Sequence, residues 1–174
     1  MQLQPMDIAI ACFLGRVPGA TYASVANALG VSVSTAHKGA DRLAQAGLLQ
    51  AFERRVNRKA LLEFIEHGVR YAFPTTIGER RRRGVPTAHA GPDLAAQIVA
   101  DEPLVWPDDS SNVIGKTIEP LYNKAPALRG RCPDVYAMLA DVDAVRVGRA
   151  RERVLAMQAL RQWLYGAEMA VAGA

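Results

Sequence analysis

The stretch that most restricts the fold is Thr21–Gln50, "TYASVANALGVSVSTAHKGADRLAQAGLLQ". It holds two short helical patterns joined at Gly30-Val31-Ser32. In the first pattern Val25, Ala26 and Leu29 fall on one face, behind Thr21 as an N-cap. In the second, Val33, Ala36, Ala40 and Leu43 follow Ser32 at helical spacing. Gly30 occupies the helix end, where a residue of positive φ is often required. Small residues at Ala23, Ala26, Ala36, Gly39 and Ala40 let the helices approach closely. Helices this short, joined so tightly, describe a helix–turn–helix.

The flanks extend this module. Pro5–Leu14 reads as a helix with proline at its start. Gly47 ends the second helix of the pair, and Leu48–Phe52 is a strand candidate. Asn57 caps a helix ending near His67, with Leu61, Leu62 and Ile65 inward. Val69–Phe73 reads as a strand closed by Pro74. From Thr75 to about Pro133 the texture is irregular and rich in proline and glycine, apart from a short helical piece at Pro92–Val99. Asp134–Gly166 contains no proline and reads as one long helix or as two broken near Gly148. The small-residue end, "MAVAGA", is expected to fray. Half of the residues are apolar but only 6% are aromatic, a composition that leans helical. The expected fold is mainly α with a small β component. It divides into an N-terminal module (1–74), an irregular connecting segment (75–133) and a C-terminal helical region (134–174).

Charge is unevenly spread. Residues 1–91 hold twelve Lys and Arg against six Asp and Glu, whereas residues 92–174 hold nine against eleven. The basic half is the half with the paired helices, which points to a polyanionic partner.

The stretch "VANALGVSVSTAHKGADRLAQAGLL" resembles the winged helix–turn–helix of bacterial transcriptional regulators of the MarR and ArsR type. The matching residues are Val25, Ala26, Leu29, Gly30, Val31, Ser32, Ser34, Thr35, Leu43, Gly47, Leu48 and Leu49, and the likeness covers about residues 6–52. It implies an N-terminal winged domain that reads bases with its second helix and touches the backbone or minor groove with a hairpin wing. It implies double-stranded DNA as partner. At the wing the chain departs from the family pattern. After Arg54-Arg55-Val56-Asn57 a helical pattern follows where a second strand should stand. The wing is then a stub, or Leu48–Phe52 pairs with Val69–Phe73.

The candidate DNA-contacting residues divide by reach. Ser34, Thr35, His37 and Lys38 are short or polar on the outward face of the second helix and suit base edges. Arg42, Arg54, Arg55, Arg58 and Lys59 suit phosphates, which demand only charge and reach. The run "GERRRRG" (78–84) is either a basic arm for a narrow groove or a solvated loop. Trp106 and Trp163 are read as anchors of the irregular segment, and "WPDD" as a turn.

In the C-terminal region Val135, Leu139, Val142, Val145, Val154, Met157, Leu160 and Leu164 form apolar stripes beside a basic line at Arg146, Arg149 and Arg153. Dimerisation is the expected use, since a twofold dimer presents two reading helices to a palindromic operator. The expected function is a sequence-specific, dimeric transcriptional repressor or autoregulator. The alternative is an antitoxin-type module that neutralises a toxin partner and represses its own operon.

No nucleophile motif, phosphate-binding glycine loop or Cys/His metal spacing is present, so neither an enzyme nor a cofactor is expected. Cys12 lies in an apolar helical run and reads as a buried thiol. No signal-peptide pattern opens the chain and no apolar run has membrane-spanning length, so a cytoplasmic protein is expected.

Overall fold

The computed structural model describes residues 1–172, with side chains as far as Gly166. Among these residues 54% are helical and 11% are in strands, a mainly α fold with a small β component. No helix of the described chain is long and apolar enough to cross a membrane.

Three helices open the chain: α1 (Pro5–Arg16), α2 (Tyr22–Leu29) and α3 (Val33–Gln45). Each start is fixed locally. Asp7 accepts the backbone N–H of Gln4 at 2.8 Å. Thr21 Oγ1 accepts the N–H of Ser24 at 3.1 Å, and Ser32 Oγ accepts that of Thr35 at 3.0 Å. These caps satisfy N–H groups that have no partner within their own helix. Gly30 ends α2 in the left-handed region, at φ 68°. The contact of α1 with α3 is set by Gly39, where a Cβ would run into the Ile10 side chain. Two of the expected packing residues are elsewhere: Ala23 is exposed, and Val33 is 52% exposed.

A wing forms, although a small one. β1 (Leu49–Gln50) and β2 (Arg55–Val56) pair antiparallel, with Leu49 opposite Val56 and Gln50 opposite Arg55. The second strand is completed before α4 (Arg58–His67) begins behind its Asn57 cap. Pairing of Leu48–Phe52 with Val69–Phe73 does not occur. The latter segment is no strand, because Val69–Ala72 forms a helical turn, α5, directly after Gly68.

Residues 75–133 are not irregular throughout. β3 (Arg81–Thr87), β4 (Leu104–Pro107) and β5 (Ile114–Thr117) close into a small three-stranded barrel. One end of β3 pairs antiparallel with β4, Gly84 opposite Pro107. The other end pairs antiparallel with β5, Arg81 opposite Lys116. β4 and β5 close the ring in parallel, Leu104 opposite Lys116. β4 and β5 are four residues long, and β3, although seven, reads RRRGVPT without alternation, which is why the sequence pattern hid them. The stretch 92–99 forms turns rather than a helix. A 3-10 turn (Ala125–Ala127) and the short α6 (Leu128–Arg131) follow.

The chain then forms α7 (Pro133–Val147) and α8 (Ala150–Ala172), broken at Gly148 as the glycine suggested. The backbone of α8 is helical to Ala172. Gly173, Ala174 and the side chains beyond Gly166 lie outside the described residues, and so does most of the expected fraying. Every residue of α7 from Val135 to Arg146 is buried. A helix apolar on all sides belongs in a core, and α7 packs against α1, α4, α5, α6, β3 and α8. One hydrophobic cluster therefore runs from Ile8 through Leu43, Ile65, Trp106 and Leu139 to Leu164. Val135, Leu139, Val142, Val145, Met157, Leu160 and Leu164 spend their apolar surface within the chain. Only Val154 of those stripes is exposed, at 56%, so the stripes give no argument for a dimer.

Polar groups pin this core. The Asp143 carboxylate accepts Thr87 Oγ1 at 2.8 Å, Trp106 Nε1 at 2.6 Å and Arg146 Nη1 at 2.7 Å. Arg146 Nε also donates to the carbonyl of Phe73 at 2.9 Å. Burial pushes the Asp143 carboxyl up, while the Arg146 charge and the three donors favour its ionised form. Arg146 thus leaves the expected exposed basic line. Trp106 and Trp163 are anchors as expected: Trp163 Nε1 donates to Asp93 at 2.7 Å. The turn expected at "WPDD" is found only in its second half: Trp106 and Pro107 end β4, and Asp108 then accepts the N–H and hydroxyl of Ser110.

Candidate nucleic-acid interface

The N-terminal half of α3 presents one continuous exposed face. Val33, Ser34, His37 and Lys38 are all exposed, and Asp41 is half-buried along the same line. At about 100° per residue these positions span less than half of the helix circumference. The opposite side, Ala36, Gly39, Ala40 and Leu43, is buried against α1 and α2. Ser34 carries a short polar side chain at the second helical position, where backbone can approach a base edge closely. Lys38 lies one turn further on.

His37 is held by two neighbours. Its Nδ1 is 3.2 Å from Asp41 Oδ2, and its ring meets Tyr22 edge-on at 4.8 Å between centroids. This contact bridges α2 to α3 and limits the rotamers that His37 adopts. Thr35 lies on the edge of the face, and its hydroxyl is 2.7 Å from that of Ser32. It serves the helix start more directly than it serves solvent.

Arg42 is not on this surface. Its guanidinium is buried, with Nε 2.8 Å from Asp7 Oδ2 and Nη2 2.6 Å from Asp7 Oδ1. A two-point pair of this kind leaves no fork for a phosphate. The hydrogen bonds that Arg42 donates to Asp7 raise its pKa above its ordinary value. Arg42 joins α3 to α1 and is withdrawn from the contact set.

The remaining basic candidates surround the wing. Arg54 adopts φ 49° at the end of the hairpin turn. Its guanidinium donates to the carbonyls of Ala20 (2.8 Å) and Gly19 (3.2 Å) and lies over the Tyr22 ring. It ties the wing to the α1–α2 loop. Arg55, Arg58 and Lys59 line one open hollow of about 410 Å³ together with Gln50, Asn57 and Tyr165. Arg58 stacks over Tyr165 at 5.2 Å, while Arg55 and Lys59 are exposed. Phe52, at the wing tip, is 96% exposed.

The basic run at 80–83 is neither arm nor loop, because Arg81–Arg83 belong to β3. Arg81 and Lys116 meet Glu102, and Arg82 lies 3.6 Å from Asp109. Two of its four arginines, Arg81 and Arg82, thus meet a carboxylate.

Two features escaped the sequence reading. Val33 is an exposed apolar side chain at the first turn of α3, suited to a thymine methyl. Helical spacing alone placed it inward. The other is the segment after the barrel, which lies against the helix–turn–helix itself. Tyr122 Oη donates to the Leu29 carbonyl at 3.3 Å, and Lys124 Nζ donates to the Gly30 carbonyl at 2.6 Å. A signal was present: between Glu119 and Asp134 the chain carries Lys124, Arg129 and Arg131 and no acidic residue.

Among the described residues no group of three or more His, Cys, Asp or Glu side chains is placed to hold a metal ion. In comparisons with known proteins the chain matches no family model, no curated protein and no solved structure.

Proposed function

We propose that this protein binds double-stranded DNA through α3 and regulates transcription, as a repressor or autoregulator. The observation that carries the reading is the exposed face of α3, Val33, Ser34, His37 and Lys38, on a helix braced by α1 and capped at its start. Such a face combines short polar groups for base edges, an apolar group for a thymine methyl and a cation for phosphate. Arg55, Arg58 and Lys59 beside the wing add phosphate contacts that carry no sequence information. Twofold pairing belongs to the proposal on operator symmetry, since it sets two reading helices one DNA turn apart.

A selection from a random-sequence duplex pool tests the reading. Wild-type protein is expected to enrich a defined motif. Lys38→Ala is expected to weaken binding and to make its salt dependence shallower by about 0.9 in the log–log slope. A pool that yields no motif, with duplex affinity unchanged by Lys38→Ala, would falsify it.

The antitoxin-type reading draws on a different surface. Tyr71 and Val154, both exposed, line a groove of about 500 Å³ between α4–α5 and α8, beside Arg70, Arg153 and Arg161. Exposed apolar side chains in a groove suit a protein partner. A toxin that copurifies with the wild type and is lost with Tyr71→Asp supports that reading.

A further inference from the structure

We propose that Lys124, Arg129 and Arg131 form a second phosphate-contacting edge of the DNA interface, delivered to the turn of the helix–turn–helix by the C-terminal half. The inference rests on DNA binding by α3 and extends it beyond the N-terminal module.

Position is the first argument. Lys124 is bonded to the Gly30 carbonyl, and Arg131 Nη1 lies 2.8 Å from where a Cβ on Gly30 would stand. Gly30 is two residues before Ser32, the N-cap of α3. Lys124 and Arg131 therefore stand beside the N-terminal end of α3, and Arg129 is carried on the same short helix as Arg131. The free N–H groups of that end already favour an anion. Lys38 flanks the same helix from its exposed face.

Charge balance is the second argument. The basic run on β3 faces Glu102 and Asp109. No carboxylate lies within ion-pair distance of Lys124, Arg129 or Arg131 among the described residues. All three side chains are exposed. Like charges gathered without acids repel one another, and a polyanion relieves that repulsion.

Construction is the third. Tyr122 is mostly buried and bonded to Leu29, and Leu128 is buried in the core. The segment carrying the cations is thus fixed against α2 rather than tethered loosely, and a fixed cation loses less freedom on contact with phosphate.

The test uses the full chain and a random-sequence duplex titrated over a range of KCl concentrations. Lys124→Gln/Arg129→Gln/Arg131→Gln is expected to lose about 0.9 in the log–log salt slope for each phosphate contact removed. Arg129→Gln/Arg131→Gln leaves the Lys124–Gly30 bond in place and is expected to show the same direction if the triple variant folds poorly. Arg81→Gln/Arg82→Gln, on the barrel, is expected to keep the wild-type slope. A wild-type slope in both 124–131 variants, with Lys38→Ala still shallower, overturns the second edge and leaves the α3 reading intact. A wild-type protein that binds no duplex overturns both.

Discussion

Asp7 and Arg42 face each other across the α1–α3 contact, each carboxylate oxygen accepting one guanidinium N–H at 2.6 or 2.8 Å. Asp7 is fully buried and Arg42 nearly so. The same carboxylate closes the first turn of α1 through Gln4. One acid thus sets both where α1 begins and how α3 lies against it. The face of α3 turned away from this pair is the one left exposed, and it is the face proposed to meet DNA.

Removing one partner strands the other charge in the core. Arg42→Ala is therefore expected to cost about 3–5 kcal/mol in stability. Asp7→Asn is expected to cost less than Asp7→Ala, because the amide oxygen still accepts one bond. Urea titration of Asp7→Leu, Arg42→Leu and Asp7→Leu/Arg42→Leu forms a cycle in which the double variant is expected to lose less stability than the two singles summed. A double variant whose loss equals or exceeds that sum would show that the pair is not coupled as its geometry indicates.

Deletion of residues 134–174 is expected to abolish cooperative folding, not to leave a folded monomer. α7 lies within the core, and α1, α4, α5 and β3 all pack on it. Loss of Met138, Leu139 and Val142 exposes Ile8, Leu61 and Ile65, large apolar side chains now fully buried. Circular dichroism melts of the truncated chain settle the point. A sharp transition near the full-length temperature would show that 1–133 carries its own core.

The wing tip gives a cleaner separation of stability from binding. Phe52 buries almost none of its ring, so Phe52→Ala is expected to change stability by no more than about 0.5 kcal/mol. Any larger loss of duplex affinity then reports a wing contact directly. Unchanged affinity would place the wing tip outside the interface.

The parts legible in the sequence were those with strong local chemistry. Thr21, Gly30, Ser32 and Asn57 mark their helix boundaries through caps and a positive φ, and each is found where it was expected. Of the two readings of 134–166, the one broken near Gly148 holds: Gly148 turns to an extended conformation and ends α7. Features decided by distant partners were hidden. Arg42 looks like a surface cation until Asp7, thirty-five residues earlier in the chain, is placed beside it. Val69–Phe73 has the β-branched and aromatic content of a strand, yet it has no strand to pair with and continues helically after α4. The barrel strands carry no apolar–polar alternation, and the apolar stripes of α7 and α8 do not say whether the partner is another copy or the chain itself. In the candidate interface, local chemistry found Ser34, His37 and Lys38, while Lys124 and Arg131 became visible only through their contact with Gly30.

The buried acid on α7 supplies the last expectation. Asp141 is 1% exposed, and its Oδ2 has no hydrogen-bond partner. Burial, with the nearby Asp93 carboxylate adding to it, pushes its pKa up to about 10. In the unfolded chain an aspartate loses its proton near pH 4. Below that pH both states hold the proton, and the group has no effect on stability. Between the two values only the folded state holds it, so stability falls as pH rises, by at most about 1.4 kcal/mol per pH unit. Cys12 nearby stays neutral over this window, since burial pushes its thiol up to about 12. Asp141→Asn removes the titration while keeping the shape. Its melting temperature relative to wild type is expected to rise steadily from pH 5 to pH 9, and thermal melts across that range measure it. A difference between the two proteins that stays constant with pH would mean that Asp141 is ionised in the folded chain.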